Sequence, residues 1–233
     1  MTATISPLAP IGAIASNRFL SLLSEPDQET LAREASLKRF SKGEVLYHED
    51  EAATRVWVVV QGQVKLVKVT RKGHELMIEL VVQQELFGAV FYAHHPVYPT
   101  TAIALADTVT MLFPVATMHR LLDKSPRFQK EILADMCRRL CHAQEMRGLA
   151  LEDVPRRLGW ALMYLHGKFG AEIPHNRQTL AELAGTTVET AIRFTRKLSK
   201  QGIITTRRGE ITVLEPQRLE ESAARSCGSC SAV

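Results

Sequence analysis

The stretch Gln178–Ile204, QTLAELAGTTVETAIRFTRKLSKQGII, restricts the fold of this chain more than any other. Leu180, Leu183 and Ala184 form the apolar stripe of a short helix, and Gly185 ends it. Thr186 or Thr187 then offers a hydroxyl oxygen to the free amide hydrogens at the start of a second helix. Val188, Ala191, Ile192, Thr195 and Leu198 recur at three- and four-residue spacing along it. Ala181 puts a small residue where the two helices cross, and Gly185 permits positive φ in the turn between them. The pattern is a helix-turn-helix.

The charge of this region argues against a plain helical hairpin with a solvated face. From Pro174 to Leu214 the chain carries seven Lys/Arg (177, 193, 196, 197, 200, 207 and 208) and three Glu (182, 189 and 210), a net of +4. The whole chain is also +4, so its remaining residues sum to zero. Concentration of the excess in one segment is what phosphate binding requires.

At 233 residues, 45% of them hydrophobic, the chain has material for one large domain or two modest ones. No apolar run reaches the length of a membrane span. The opening MTATISPLAPIGAIAS lacks the charged start and unbroken apolar centre of a secretory signal and reads as a flexible leader, 1–16. A cytoplasmic protein is expected, in which four cysteines are not structural disulfides.

From Asn17 to Leu37 a helical segment is interrupted at Pro26. Then come strands: Glu44–His48, Arg55–Val60, a hairpin turn at Gln61–Gln63, Val64–Val69, a turn at Arg71–His74, and Leu76–Val82. An irregular stretch, Phe91–Pro99, precedes a strand over Thr100–Phe113. Short strands at this spacing indicate a sandwich or barrel. Pro114–Arg120 restarts helix, and Pro126 opens a longer one. Along it Leu133, Met136, Leu140, Ala143, Arg147 and Ala150 alternate by three and four, a seam suited to a coiled-coil partner; packing against the strand domain is the alternative. A further helix, Arg156–Lys168, leads into the helix-turn-helix, and Ile203–Leu214 forms two strands around an Arg-Gly turn, the wing of a winged helix. The residues from Glu215 onward, ending SCGSCSAV, show no core-forming pattern, and Trp57 and Trp160 are expected as core anchors.

This order of parts resembles the Crp/Fnr family of bacterial transcription regulators over residues 17 to 214. The resemblance rests on Val188-Glu189-Thr190-Ala191-Ile192-Arg193, similar to the family's recognition-helix motif, and on Gly43-Glu44, Gly62, Phe87-Gly88 and Tyr98-Pro99-Thr100-Thr101, which fall where the β-roll's turns and ligand cassette would lie. It implies an α+β chain with an N-terminal cyclic-nucleotide-binding-like β-roll, a long dimerisation helix and a C-terminal winged helix-turn-helix. The expected divisions are a leader at 1–16, the β-roll sensor at 17–120, the dimerisation helix at 121–151, the DNA-binding domain at 152–215 and a cysteine-containing tail at 216–233. The implied partners are double-stranded DNA, a second copy of the chain through Leu133, Met136, Leu140, Ala143 and Arg147, and RNA polymerase where it activates; no membrane is implied.

Glu189 and Arg193 stand one helical turn apart. A carboxylate accepts from cytosine N4, and a guanidinium gives two bonds to guanine N7 and O6. Val188 offers apolar contact to a thymine methyl, and valine there goes, within the family, with the TTGA-like half-site of Fnr-type members. Ile192 departs from that type, which usually carries serine. Thr187, Thr190, Arg196, Lys197 and Lys200 are expected on phosphates.

Cyclic AMP fits poorly. The family cassette that binds it has Gly-Glu-Leu and then Arg-Ser or Arg-Thr, whereas here Gly88 precedes Ala89-Val90 and Pro99 precedes Thr100-Thr101. A buried phosphate needs a cation or a helix terminus beside it. The cysteines point elsewhere. Cys227 and Cys230 form a CxxC pair, and Cys137 and Cys141 stand four apart on the proposed dimer helix. Resemblance to the branch of Bacillus-type Fnr proteins, with C-terminal cysteines and a further ligand on the dimer helix, implies an iron–sulfur cluster on Cys137, Cys141, Cys227 and Cys230; two tail cysteines stand here where that branch has three. A Cys227–Cys230 disulfide switch, a zinc site, a small ligand in the β-roll or an inert tail remain open. His94 and His95 read as surface or hydrogen-bonded histidines. Asp50-Glu51, His48 and Cys141-His142 have no catalytic spacing and no phosphate-cradling glycine loop is present, so an enzyme is not expected, and a winged-helix protein-interaction module is the alternative outside the family.

Overall fold

The computed structural model describes residues 9–69, 75–88 and 96–223. It divides into two units, the first holding the described residues of 9–73 and 78–138 and the second those of 74–77 and 139–223.

The first unit opens with α1 (Ala9–Ser16), a 3-10 turn (Leu20–Leu22) and α2 (Glu25–Glu34). The expected leader is therefore helical from Ala9, and Ile14 and Leu20 are fully buried. Asn17, also fully buried, locks the corner: its Oδ1 accepts from the amides of Phe19 and Leu20 at 3.0 and 3.1 Å, while its Nδ2 donates to the Gln84 carbonyl at 2.7 Å. One isoleucine and one asparagine anchor a segment whose composition reads as loose. Pro26 does not interrupt a helix but sits in the first turn of α2, where its missing N–H is harmless.

Eight strands follow: β1 (Ser36–Phe40), β2 (Val45–Tyr47), β3 (Arg55–Gln61), β4 (Val64–Val69), β5 (Glu75–Val81), β6 (Leu86–Phe87), β7 (Thr101–Ala104) and β8 (Thr108–Pro114). They form two four-stranded sheets, ordered β1-β8-β3-β6 and β2-β7-β4-β5. Two expectations change here. Gln61–Gln63 is not a hairpin turn, because β3 and β4 belong to different sheets. Likewise Thr100–Phe113 is two strands, β7 and β8, one in each sheet. Both crossings meet at Gly62, whose φ is +89° and whose absent Cβ would lie 2.6 Å from the Asp107 carbonyl oxygen and the Thr108 hydroxyl. Thr108 closes the junction, accepting from the Gln63 amide at 3.2 Å and donating to carbonyl oxygens of Ala106 and Gln63 at 2.7 and 3.0 Å.

The run Val56–Val59 is buried at every residue because the β1-β8-β3-β6 sheet is covered on both faces. Val56 and Val58 pack with α1 and the helices that follow the sheets; Trp57 and Val59 pack between the sheets. After β8 comes α3 (Val115–Lys124), then α4 (Pro126–Leu149). Residues 121–124, expected at the start of the dimerisation helix, instead end α3, with Leu121 and Leu122 buried in the core. On α4, Phe128 and Ile132 join that core, whereas Leu133 and Leu140 are 63% and 60% exposed.

The second unit contains the C-terminal part of α4, α5 (Val154–Phe169), β9 (Glu172–Ile173), α6 (Arg177–Ala184), α7 (Val188–Lys200), β10 (Ile204–Arg207), β11 (Glu210–Val213) and α8 (Pro216–Ala223). Asp153 caps α5 by accepting from the Arg156 amide at 3.0 Å. The three short strands make one antiparallel sheet, β10-β11-β9. The stretch from Glu215, expected to lack a core-forming pattern, instead supplies α8, which packs on α5 with Leu219 fully buried. Trp160, expected in the core, is only half-buried; it stacks with Tyr164 at 5.4 Å and meets the tilted ring of His142 at 5.4 Å. No helix of the described residues is long and apolar enough to cross a membrane.

Candidate nucleic-acid interface

Local chemistry sets both helices of the helix-turn-helix. Asn176 caps α6, its Oδ1 accepting from the amides of Gln178 and Thr179 at 2.9 and 3.2 Å. Gly185 ends α6 in the left-handed region at φ 59° and ψ 47°, and the Thr186 amide turns back to the Ala181 carbonyl at 3.0 Å. Thr187, not Thr186, caps α7: its Oγ1 accepts from the Thr190 amide at 3.3 Å and lies 2.9 Å from Thr190 Oγ1. The stripe Ala191, Thr195 and Leu198 is buried, while Val188 and Ile192 are half-buried at its edge.

The outward face of α7 carries the expected recognition residues. Glu189 and Arg193 are 80% and 69% exposed, and their closest charged atoms are 3.9 Å apart. An exposed pair at that separation is worth no more than about 1 kcal/mol, so both groups can exchange it for base contacts at little cost. Arg196, Lys197 and Lys200 are exposed on the same helix, and Arg207 and Arg208 are exposed at the tip of the β10–β11 wing, where Gly209 supplies a φ of +79°. Thr187 and Thr190, expected on phosphates, are already engaged at the start of the helix, and both lie at its N-terminal end, where anions are favoured.

Three residues that pack around the motif have roles the sequence does not show. Arg157 of α5 reaches across to the turn: its Nε donates to the Ala184 carbonyl at 2.9 Å, Nη2 to the Gly185 carbonyl at 3.4 Å, and Nη1 to the Glu152 carbonyl at 3.1 Å. It satisfies carbonyls left open at the end of α6. Arg177, counted with the phosphate-binding charge, turns inward to Thr195 and Thr206. His175, between β9 and α6, is only 5% exposed, presents its ring to the edge of Phe169 at 5.0 Å, and has no partner for Nε2. Burial pushes its pKa down to about 4, so the ring is neutral. No spacing rule marks any of these three residues, because each depends on which distant segment comes alongside.

The ligand cassette of the β-roll is described only in part, since His94, His95 and residues 89–95 lie outside the described residues. Tyr98 stands in the interior between the sheets, stacked on Tyr47 with ring centroids 3.7 Å apart. Its hydroxyl accepts from Trp57 Nε1 at 3.0 Å and donates to the Arg55 carbonyl at 2.9 Å, and burial raises its pKa. Gly88, at φ +69°, makes room for this cluster, because a Cβ there would lie 2.8 Å from the Trp57 ring. Thr101 Oγ1 accepts from the Glu49 amide at 3.0 Å, and Lys68 is paired with Glu49.

Of the four cysteines, Cys137 is exposed and Cys141 half-buried, both free thiols on α4. Cys227 and Cys230 lie outside the described residues. Among the described residues no group of three or more His, Cys, Asp or Glu is placed to hold a metal ion.

Comparison with known proteins agrees with this architecture. The cyclic nucleotide-binding domain family matches residues 37–125, and the Crp-like helix-turn-helix domain family matches residues 156–222. The nitrogen fixation regulation protein FixK of Bradyrhizobium diazoefficiens is 27% identical over 194 residues, covering 79% of this chain and 81% of the relative. The global nitrogen regulator of Synechococcus elongatus is 26% identical over 196 residues, covering 79% and 88%. The solved structure of FixK2 from Bradyrhizobium japonicum shares the fold, with a TM-score of 0.75 at 23% identity over 83% of this chain and 99% of the other. A β-roll followed by a long helix and a capped, basic helix-turn-helix, matched by both domain families, makes this chain a member of the Crp/Fnr family of DNA-binding transcription regulators.

Proposed function

We propose that the chain acts as a homodimer on a palindromic, TTGA-like DNA site, with Val188, Glu189 and Arg193 reading base edges and Thr187, Thr190, Arg196, Lys197 and Lys200 on phosphates. The carrying observation is the exposed Glu189–Arg193 pair on the solvent face of a helix whose opposite face is buried. A helix presented this way fits the major groove, and a carboxylate with a guanidinium one turn away suits a G·C pair and its neighbour. Exposure of Leu133 and Leu140, with Ala143 and Arg147 further along α4, supports a partner helix at that seam. Two recognition helices related by a dimer axis would enter successive major grooves roughly 34 Å apart. Selection of duplexes from random DNA, followed by binding of Arg193→Ala, tests the reading. Loss of discrimination among duplexes, with weak general binding kept, is the expected result; unchanged preference would refute the assignment.

The proposed signal acts through the cysteines. Cys137 and Cys141 are free thiols on α4, and with Cys227 and Cys230 they would supply a four-thiolate donor set of the kind that holds an iron–sulfur cluster. Such a cluster would supply redox and gas sensitivity. The residues' own part would be to link the C-terminal segment to α4, so that gain or loss of the link biases the DNA-binding unit between two arrangements. Anaerobic purification with a visible spectrum and iron and sulfide analysis tests this. A coloured protein that bleaches in air and loses iron in Cys141→Ala and Cys227→Ala supports the cluster. A colourless, iron-free protein would leave a thiol switch in the tail or a small ligand in the β-roll as the signal.

A further inference from the structure

Six of the seven basic residues between Pro174 and Leu214 are exposed, and Arg177 is not. It is the first residue of α6, yet its guanidinium is directed into the unit. Nε donates to Thr195 Oγ1 at 3.3 Å and Nη2 donates to Thr206 Oγ1 at 2.7 Å. Thr195 is fully buried in the middle of α7, and its own hydroxyl proton goes to the Ala191 carbonyl at 2.9 Å, which leaves a lone pair for the arginine. Thr206 lies on β10, the first strand of the wing. One planar group therefore joins the first helix of the motif, the recognition helix and the wing. It also explains a polar residue in the buried stripe of α7: Thr195 is there as a hydrogen-bond partner and not as a hydrophobe.

We propose that Arg177 is a positioning residue for sequence discrimination and not a phosphate contact: it fixes the recognition helix against the wing, and so the register in which Glu189 and Arg193 meet base edges. Base readout tolerates little displacement, because a hydrogen bond weakens within a few tenths of an ångström and a few tens of degrees. Attraction to phosphate extends over roughly a Debye length, about 8–10 Å, and survives the same displacement. Loss of the fork must then cost specific binding and spare non-specific binding. Lysine keeps the charge but not the two fixed donor directions, so it should fail as a substitute.

The inference rests on the base-reading assignment of Glu189 and Arg193, and the test separates the two. Full-length protein is titrated by fluorescence anisotropy against a selected palindromic duplex and a scrambled one of equal length, over a series of salt concentrations. Arg177→Lys and Arg177→Gln are each expected to lose about tenfold or more on the selected duplex. Affinity for the scrambled duplex and the slope of log K against log salt should not change. Thr206→Val should move in the same direction, and Arg177→Lys with Thr206→Val should be no worse than Arg177→Lys alone. Wild-type behaviour of Arg177→Lys, or an equal loss on both duplexes with a slope shallower by about 0.9 in Arg177→Gln, would make Arg177 a phosphate contact and overturn the proposal. An unaltered Thr206→Val would overturn it as well, and this variant carries the test if Arg177→Gln does not fold. Arg193→Ala, measured alongside, shows whether base reading is assigned correctly, whatever Arg177 does.

Discussion

His175 should make the stability of the winged-helix unit depend on pH in a defined window. Its ring is buried with no hydrogen-bond partner for Nε2, and its pKa in the fold is pushed from 6.5 down to about 4 by burial. The folded value is below the unfolded one. Well above pH 6.5 the ring is neutral in both states and contributes no pH dependence. As pH falls below 6.5 the unfolded chain takes a proton that the folded chain refuses, so stability falls until about pH 4 and then levels off. A difference of about 2.5 units corresponds to about 3 kcal/mol in total, with a steepest slope of about 1.4 kcal/mol per pH unit. Urea unfolding at pH 7 and pH 4.5, compared between wild type and His175→Leu, isolates this from the carboxylates, which titrate in both proteins. With m near 1–3 kcal/mol/M the wild-type midpoint should drop by roughly 1–2 M more than that of the variant. NMR titration of the imidazole gives the folded pKa directly. A ring that titrates near 6.5, or identical pH profiles for the two proteins, would refute the account of His175 as a buried neutral group.

Three further outcomes follow from the packing. Gly62→Ala combines a φ of +89° with a Cβ against the Asp107 carbonyl, so it should destabilise the first unit by at least about 1–3 kcal/mol, read from the loss of Trp57 near-ultraviolet dichroism on heating. Leu133→Glu with Leu140→Glu should convert a dimer to monomer in sedimentation velocity while leaving helix content intact, because both side chains are exposed in the single chain. Leu219→Ala should cost about 2–5 kcal/mol of stability in the second unit, since the side chain is fully buried, and truncation after Ala223 should remove any bound iron.

What could be read in advance divides along the range of the interactions involved. Helix starts and stops are local, so the Thr187 cap, the Gly185 turn and the stripe along α7 follow from residues within one or two turns. Strand pairing is not local. Val56–Val59 reads as a strand in isolation, but whether the next strand pairs with it or crosses to the other sheet depends on Gly62 meeting Asp107 and Thr108 from a strand more than forty residues later. The helices at the two ends escape the sequence for a related reason. α1 is apolar along almost its whole length and α8 carries few apolar residues, so neither shows a clear period; they are held by Ile14 and Leu219 entering cores made elsewhere in the chain.

The base-reading candidates were legible because an exposed pair at helical spacing needs no partner within the protein, and Glu189 and Arg193 retain their exposure in the fold. The clustering of positive charge was legible because it is a property of the order of residues alone. Only the tertiary structure decided the fate of single polar groups. Arg177 counts with Arg196 and Lys200 by charge yet is directed to Thr195 and Thr206; Thr195 counts as a stripe residue yet serves as an acceptor; Arg157 holds carbonyls of the helix-turn-helix from another helix. A buried donor or acceptor must find a partner, and that partner belongs to whichever segment folding brings within about 3 Å.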